Sequence, residues 1–513
     1  MIRTDVLIAG AGPSGLVLAL WLTKLGVSVR IIDKAPEAGT TSRAVAIAAH
    51  TLELYRQLDL ATSVMQRAHA VKAANLWVEG KAVAHVPFAQ IGQGLSPYGL
   101  LQIFPQDAHE RLLIEKLGQF GVTIERPVQL VDFSDDGEKI VARLQANDHE
   151  EQCEAAFIAG CDGAHSIVRT QIHADFEGGT YRELFYVADV DAAGQAANGE
   201  LHVDLDEADF LAVFPLSDQG RVRLIGTVRD ARVDHADRLS FDDVSGHALK
   251  SMNIQIRQVN WFSTYHVHHR VTDRFRVGRA FLVGDAAHVH SPVGGQGMNT
   301  GIGDAINLAW KIAAVNARCA PDSLLDSYEV ERRRFAKRLV ATTDRVFTFI
   351  NEDGPLAKIV RKRVAPIVVP RLLSMDRVRD FIFRTVSQLS LNYREGPLAV
   401  GSVGEVHGGD RLPWVPQRDD SNLAPLANLD WQVYVYGAAG PELLDWCDRH
   451  RVPLHVFEWH EQHGEAGLTR DALYLLRPDT YIALADRDAS TEALNDFFTH
   501  RGVQRIMRPL IRK

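Results

Sequence analysis

The stretch that most restricts how this chain can fold lies at its start: IAGAGPSGLVLAL, residues 8–20, in which Gly10, Gly12 and Gly15 are spaced as G-x-G-x-x-G. An apolar run of strand length, DVLIAG, leads into it. PSGLVLALWLTKLG follows and reads as a helix with Pro13 in its first turn and Gly26 past its end. VSVRIID then reads as a second buried strand ending at Asp33. Strand, glycine turn, helix and strand, closed by an acid about 20 residues beyond the glycines, form a dinucleotide-binding unit. Gly10 permits the turn. Gly12 lets backbone approach a pyrophosphate resting on the helix start at Pro13 and Ser14, and Gly15 lets the helix pack closely on the strand. Asp33, followed by Lys34, is placed to accept from a ribose hydroxyl.

At 513 residues the chain has room for two to four domains, at roughly 150 residues each. Its formal net charge of −9 argues against nucleic acid as the main partner. No window of about 18 apolar residues occurs, so no membrane span is expected. The first residues enter a strand at once, without a basic leader or cleavage site, which points to a cytoplasmic protein. Cys153, Cys161, Cys319 and Cys447 form no C-x-x-C pair, which speaks against zinc knuckles, iron–sulfur ligation and a dithiol centre. The histidine groups HVHHR (His266, His268, His269), HVH (His288, His290) and HEQH (His460, His463) contain no H-E-x-x-H, and no metal is expected. There is no G-x-S-x-G nucleophile elbow.

The patterning divides the chain into four. Residues 1–175 form the first part of the nucleotide domain. Residues 176–275 become strand-rich (RELFYVADV, GELHVDL, FLAVFPLS, RVRLIGTV) and read as an inserted antiparallel sheet. Residues 276–395 return to strand–loop–helix through RAFLVG and continue as a helical connector. Its basic stretch, AKIVRKRVAPIVVPRLL, has two internal prolines and reads as packed helix or a homodimer contact rather than a membrane-surface helix. Residues 396–513 begin in a Gly/Pro-rich boundary and read as a small α/β domain.

Three segments, GAGPSG, GCDGAHSIVR and GDAAHVHSPVGGQGMN, share order, spacing and content with one family. The chain resembles the flavin-dependent aromatic hydroxylases, single-component monooxygenases of the para-hydroxybenzoate hydroxylase type, over about residues 1–320. The remainder resembles the longer bacterial members. The resemblance implies an α/β fold: a Rossmann-like FAD-binding domain, an inserted antiparallel-sheet substrate domain, a helical connector and a C-terminal thioredoxin-like α/β domain. Its implied cofactors are FAD, held non-covalently, and NADPH or NADH as co-substrate. Its implied reaction is monooxygenation, with O2, of an aromatic substrate, phenolic or polyketide-like, through the C4a-hydroperoxide of the flavin. Baeyer–Villiger oxidation of a cyclic ketone and a non-catalytic flavoprotein are the alternatives. The single glycine fingerprint fits transient docking of NAD(P)H.

The same resemblance assigns residues. Asp285 accepts from flavin ribityl or ribose hydroxyls. Gly294, Gly295, Gly297, Met298 and Asn299 open a helix whose N–H groups and dipole stabilise negative charge on the N1–C2=O edge of reduced flavin. Pro292, whose carbonyl lies near substrate in relatives, and Gly295 are the catalytic candidates. Asp162 and Gly163 touch the flavin and contribute to nicotinamide cofactor use, and Arg169 lies further along the same segment; Gln106 matches a ribityl contact, and Arg43 lies near the pyrophosphate and isoalloxazine. Phe210, Phe214 and Tyr265 are candidates for the substrate pocket. Two departures stand out: Asp33 where glutamate is more frequent, and Ser291 where a second proline is. The tail carries one cysteine, Cys447, so it cannot run a dithiol cycle alone.

Overall fold

A computed structural model describes residues 2–39, 44–89, 91–99, 101–147, 149–204, 210–228, 239–244, 246–290, 295–351, 368, 371–372, 375–416 and 421–503. Arg43, Pro292, Gly294 and nearly all of the basic stretch 357–373 lie outside these.

The opening segment folds as β1 (Ile2–Ala9), α1 (Pro13–Lys24) and β2 (Val29–Ile32). β1 runs parallel to β2 and to strand His149–Gly160, pairing Ala9 with both Ile32 and Gly160. Strand Ala280–Leu282 continues the parallel set, with Leu282 opposite Gly160. Val6–Ala9, Ile31, Ile32 and Phe281 are buried, as strands covered on both faces by helices require. The register brings the carboxyl ends of these strands to one edge. The three sequence motifs leave from that edge, where ligands bind in open α/β sheets.

Two close approaches fix the edge. A Cβ on Gly10, at φ +103°, would lie 2.2 Å from the Cys161 carbonyl oxygen, so only glycine lets the first and second motif loops touch. A Cβ on Gly301, inside helix Gly297–Asn316, would lie 2.4 Å from Ser14 Oγ, which lets this helix and α1 meet.

The second sheet has eight strands. Its spine is the antiparallel pair Phe176–Gly194 and Ile254–Thr272. Period-2 alternation gives each face its own core: Leu184, Tyr186, Ala188 and Val190 on one, Phe185, Val187, Ile225 and Val267 on the other. The sheet is not confined to residues 176–275. A hairpin, Ala73–Val78 with Lys81–Pro87, adds two strands at one edge, and His288–Val289 adds one at the other. The hairpin turns at Glu79 and Gly80, both at positive φ, the geometry of a two-residue turn.

The tail is a four-stranded mixed sheet in the order Leu454–Phe457, Gln432–Tyr436, Leu473–Leu476, Ile482–Asp486, with only the first pair parallel. Helices Pro441–His450 and Thr491–Arg501 accompany it. Cys447 is buried, and burial pushes its thiol up to about 12. Ion pairs in the interior bind the tail to the nucleotide domain. Arg477 contacts Glu331 at 2.7 Å and Asp479 at 2.6 Å, Lys311 contacts Glu331 at 2.8 Å, and Arg411 contacts Glu53 at 2.6 Å. Burial opposes ionisation of Glu331, but Arg477 and Lys311 outweigh it and bring its carboxyl down to about 2.

Removing one member of such a cluster leaves a buried charge uncompensated. Arg477→Ala is expected to lower stability by about 3–5 kcal/mol, read from the urea unfolding midpoint. A midpoint equal to wild type would show that this cluster does not hold the tail in place.

Candidate active site

The first motif loop is closed by Asp33. Its Oδ2 accepts from the Ala11 N–H at 2.7 Å, its Oδ1 accepts from the Ala35 N–H at 2.8 Å, and Arg126 lies 3.3 Å away. The carboxylate thus shapes the glycine turn while lining a hollow of about 230 Å³ with Gly10, Lys34, Asp162 and Gly163. In the second loop, Asp162 Oδ2 accepts from the N–H groups of Ile167 and Val168 at 2.7 and 3.3 Å. Its Oδ1 is buried and takes no hydrogen bond among the described residues. Arg169 does not reach into the site. Its guanidinium donates to the Ala164 and Ala286 carbonyls at 2.7 and 2.9 Å and so clamps the second loop to the third.

The third loop is held from below by Asp304 of helix Gly297–Asn316. This carboxylate accepts from the Gly284 N–H at 3.1 Å, from His288 Nε2 at 2.6 Å and from Arg332 Nε at 2.6 Å. Burial disfavours its charge, yet Arg332 and His288 prevail and hold the carboxyl below its usual range. Arg332 also donates to the Tyr393 hydroxyl at 2.8 Å and the Thr300 carbonyl at 3.0 Å. Asp285, next to this anchored Gly284, faces the cleft described below.

A cleft of about 770 Å³ separates the motif loops from the second sheet. Its polar wall carries Gly12, Pro13, Ser14, Gln106, Gly163, Asp285, Gly295, Gly297 and Met298. The Gln106 amide is steadied by Glu110, to which Nε2 donates at 2.8 Å. The opposite wall is apolar and aromatic: Phe214, Ile225, Trp261, Tyr265 and Val267. Phe214 and Tyr265 are among the residues that line the cleft. Phe210 packs in the same aromatic cluster but does not line it. Trp261, Ile225 and Gln296 also line it; the alternation Trp261, Ser263, Tyr265, Val267 on one strand is a signal for Trp261, whereas Ile225 lies on strand Arg221–Val228 and Gln296 just before helix Gly297–Asn316.

Asn299 is a different case. Its Oδ1 accepts from the Ala48 N–H and the Thr51 hydroxyl at 2.8 and 2.9 Å, and its Nδ2 donates to Ala46 and Gly295 carbonyls at 3.0 and 3.1 Å. Its amide is spent on fixing the Gly295 turn against segment 46–51, away from the cleft. Burial pushes the Cys161 thiol well above its ordinary value.

The hollow and the cleft share Cys161 and Gly163, and the start of α1 lies at their junction. An elongated dinucleotide fits this shape. The hollow at Asp33 would take the nucleoside end and the start of α1, at Gly12, the pyrophosphate, while Gln106 and Asp285 would meet the ribityl chain and Gly295–Met298 the ring. At Gly12 a Cβ would meet nothing within 4 Å, which leaves backbone open to a ligand, and Asp162 Oδ1 is an acceptor still to be satisfied. Among the described residues no group of three or more His, Cys, Asp or Glu is placed to hold a metal, and no described helix is long and apolar enough to cross a membrane.

Residues 3–343 match the family described as FAD binding domain. A flavin-dependent monooxygenase of Mycobacteroides abscessus is 30% identical over 95% of this chain and 98% of its own length. The 6-methylpretetramide 4-monooxygenase of Streptomyces rimosus is 32% identical over 79% of this chain and 73% of its own. Among solved structures, an anhydrotetracycline hydroxylase from Streptomyces rimosus superposes with a TM-score of 0.79 at 26% identity, covering 98% of this chain and 100% of that one.

If Asp285 meets flavin hydroxyls, Asp285→Ala deletes their acceptor. FAD affinity should fall by about tenfold or more, for a loss of about 1–3 kcal/mol, measured by fluorescence on reconstitution of apoprotein. A folded variant with wild-type affinity would remove Asp285 from the cofactor site.

Proposed function

The chain belongs to the FAD binding domain family, and on that premise we infer that it is a flavin-dependent monooxygenase that hydroxylates a fused-ring aromatic, phenolic or polyketide-like, substrate. One observation carries the reading: a single cleft has the cofactor motifs on one wall and Phe214, Trp261 and Tyr265 on the other. Its volume exceeds what a ring cofactor alone needs, and flat apolar side chains favour a planar partner stacked against them.

FAD, reduced by NADH or NADPH, supplies the redox chemistry, activating O2 and delivering one oxygen atom. The chain's own residues orient and protect. The N–H groups at the start of the Gly297–Asn316 helix, with its dipole, would stabilise negative charge on the reduced ring of a bound flavin. The aromatic wall excludes water and sets the substrate ring across from that edge. Pro292, next to this turn, is proposed to offer its carbonyl to the substrate, and Arg43 to reach the pyrophosphate. Lys34 and Asp33 are proposed at the nucleoside end. NAD(P)H is proposed to dock transiently, the chain having one glycine fingerprint. All four cysteines are free, which supports placement in a reducing cytoplasm. The tail is proposed to act in assembly, covering the nucleotide domain or contacting a second subunit.

The test is a panel of polycyclic phenols incubated with NADH or NADPH, with nucleotide oxidation and peroxide release followed together and products assigned by NMR. The reading expects substrate-stimulated oxidation, one hydroxyl added to a ring, and FAD released by heat from a non-covalent site. Recovery of FMN, or ring-expanded lactones in place of phenols, would overturn it. Cys447→Ser should leave turnover and product unchanged with or without added thiol, as a buried thiol of raised pKa requires. Loss of turnover with FAD content intact would reveal chemistry in the tail.

A further inference from the structure

The histidines of HVHHR are not used by the reading above. His266 and His268 belong to strand Ile254–Thr272, and both line the aromatic cleft. They also line a second hollow of about 750 Å³, which opens off the cleft and shares Ala164 and Tyr265 with it. His165, from the second motif loop, lines this hollow from a different element. Thr180 and Tyr181 of the neighbouring strand complete it. Among the described residues no aspartate or glutamate lines it.

The carboxylates nearest to these histidines belong to the neighbouring spaces: Asp285 lines the cleft with His266 and His268, and Asp33 and Asp162 line the cofactor hollow that His165 also borders. Burial lowers His268 below its ordinary pKa, and Arg270, His266, His165 and His269 lower it further. These are the groups that face it from its own strand and from the second motif loop. From the paired strand it meets the Thr180 hydroxyl, 2.7 Å from Nδ1. That hydroxyl also accepts from Arg270 Nη2 at 3.4 Å, so Thr180 bridges the imidazole and the guanidinium. The result is a set of imidazole side chains in a hollow that shares lining with the aromatic cleft and has no carboxylate in its own lining among the described residues.

We propose that His165, His266 and His268 form an oxyanion-binding subsite for the substrate, so that the preferred aromatic carries an ionised carboxyl, enol or phenol on the edge that lies beyond Tyr265. This rests on the aromatic-substrate reading above and narrows it to anionic ring systems. A neutral aromatic makes the same stacking contacts but none of the charge-assisted hydrogen bonds. Because an anion favours imidazolium, binding near neutral pH takes up a proton, and affinity is greatest at low pH and falls as pH rises.

The holoenzyme is titrated by calorimetry with 2-naphthoate, with its uncharged analogue 2-naphthamide, and with NADP+, at pH 6 and pH 8 and in buffers of different ionisation enthalpy. The wild type should prefer the carboxylate over the amide by about tenfold at pH 6, with proton uptake, and the preference should shrink at pH 8. His266→Gln/His268→Gln should abolish the preference while amide binding and FAD content stay as in wild type. His165→Gln, which leaves the strand intact, should reduce it in part. Equal binding of acid and amide by the wild type, a preference that survives in the double variant, or an effect confined to NADP+ would each overturn the proposal. Hydroxylation of the phenol panel with no carboxylate preference defeats this subsite alone. A carboxylate preference without hydroxylation of any aromatic defeats the functional reading and leaves the subsite standing.

Discussion

A buried carboxylate, Asp304, is the point on which the cofactor side of this molecule depends. It has no solvent exposure, so its charge survives only because Arg332 and His288 meet it at 2.6 Å. The Gly284 N–H shares the same oxygen as His288, and Asp285 follows directly. Arg332 carries the linkage outward to Tyr393 and, along the same helix, Glu331 extends it through Arg477 into the tail sheet. A loop that must present a side chain to a cofactor is thereby held by fully satisfied groups of the interior, not by its own surface contacts. The tail is part of that support, which gives a domain with one buried cysteine a physical reason to be there.

Legibility in the sequence followed the distance over which the physics acts. β1, α1 and β2 could be read residue by residue, because strand period, helix period and the glycine spacing are all local. The hairpin 73–87 is equally regular, yet its membership of the second sheet depends on pairing Leu201 with Ala74, more than a hundred residues apart, and nothing local announces that. The family resemblance supplied the cofactor loops and could not supply what each side chain touches.

Asn299 and Arg169 show the limit most clearly. Both stand in motif segments, and both have side chains consumed in holding one loop to another, Asn299 through four hydrogen bonds and Arg169 through two carbonyls. A motif marks where backbone must be held, and the residues that hold it are as constrained as those that face the ligand. On the sheet side, Trp261 was missed because its strand is long, with mixed polar and aromatic character, and the phase of its alternation is set only by the partner strand Phe176–Gly194.

The close approach of Ser14 to Gly301 and Gly284 has a consequence for how such a protein can change over evolutionary time. Behind the polar wall, a Cβ on Gly284 or Gly301 would lie 2.5 or 2.4 Å from Ser14 Oγ, so a larger side chain at either position pushes on the start of α1. The aromatic wall is made of side chains on a separate sheet whose backbone pairing is indifferent to their identity. Variation is thus freer on the sheet side of the cleft than at Gly284 and Gly301. A lineage can exchange one ring-shaped substrate for another through single replacements at positions such as Ile225 or Trp261, while the oxidising apparatus is inherited unaltered.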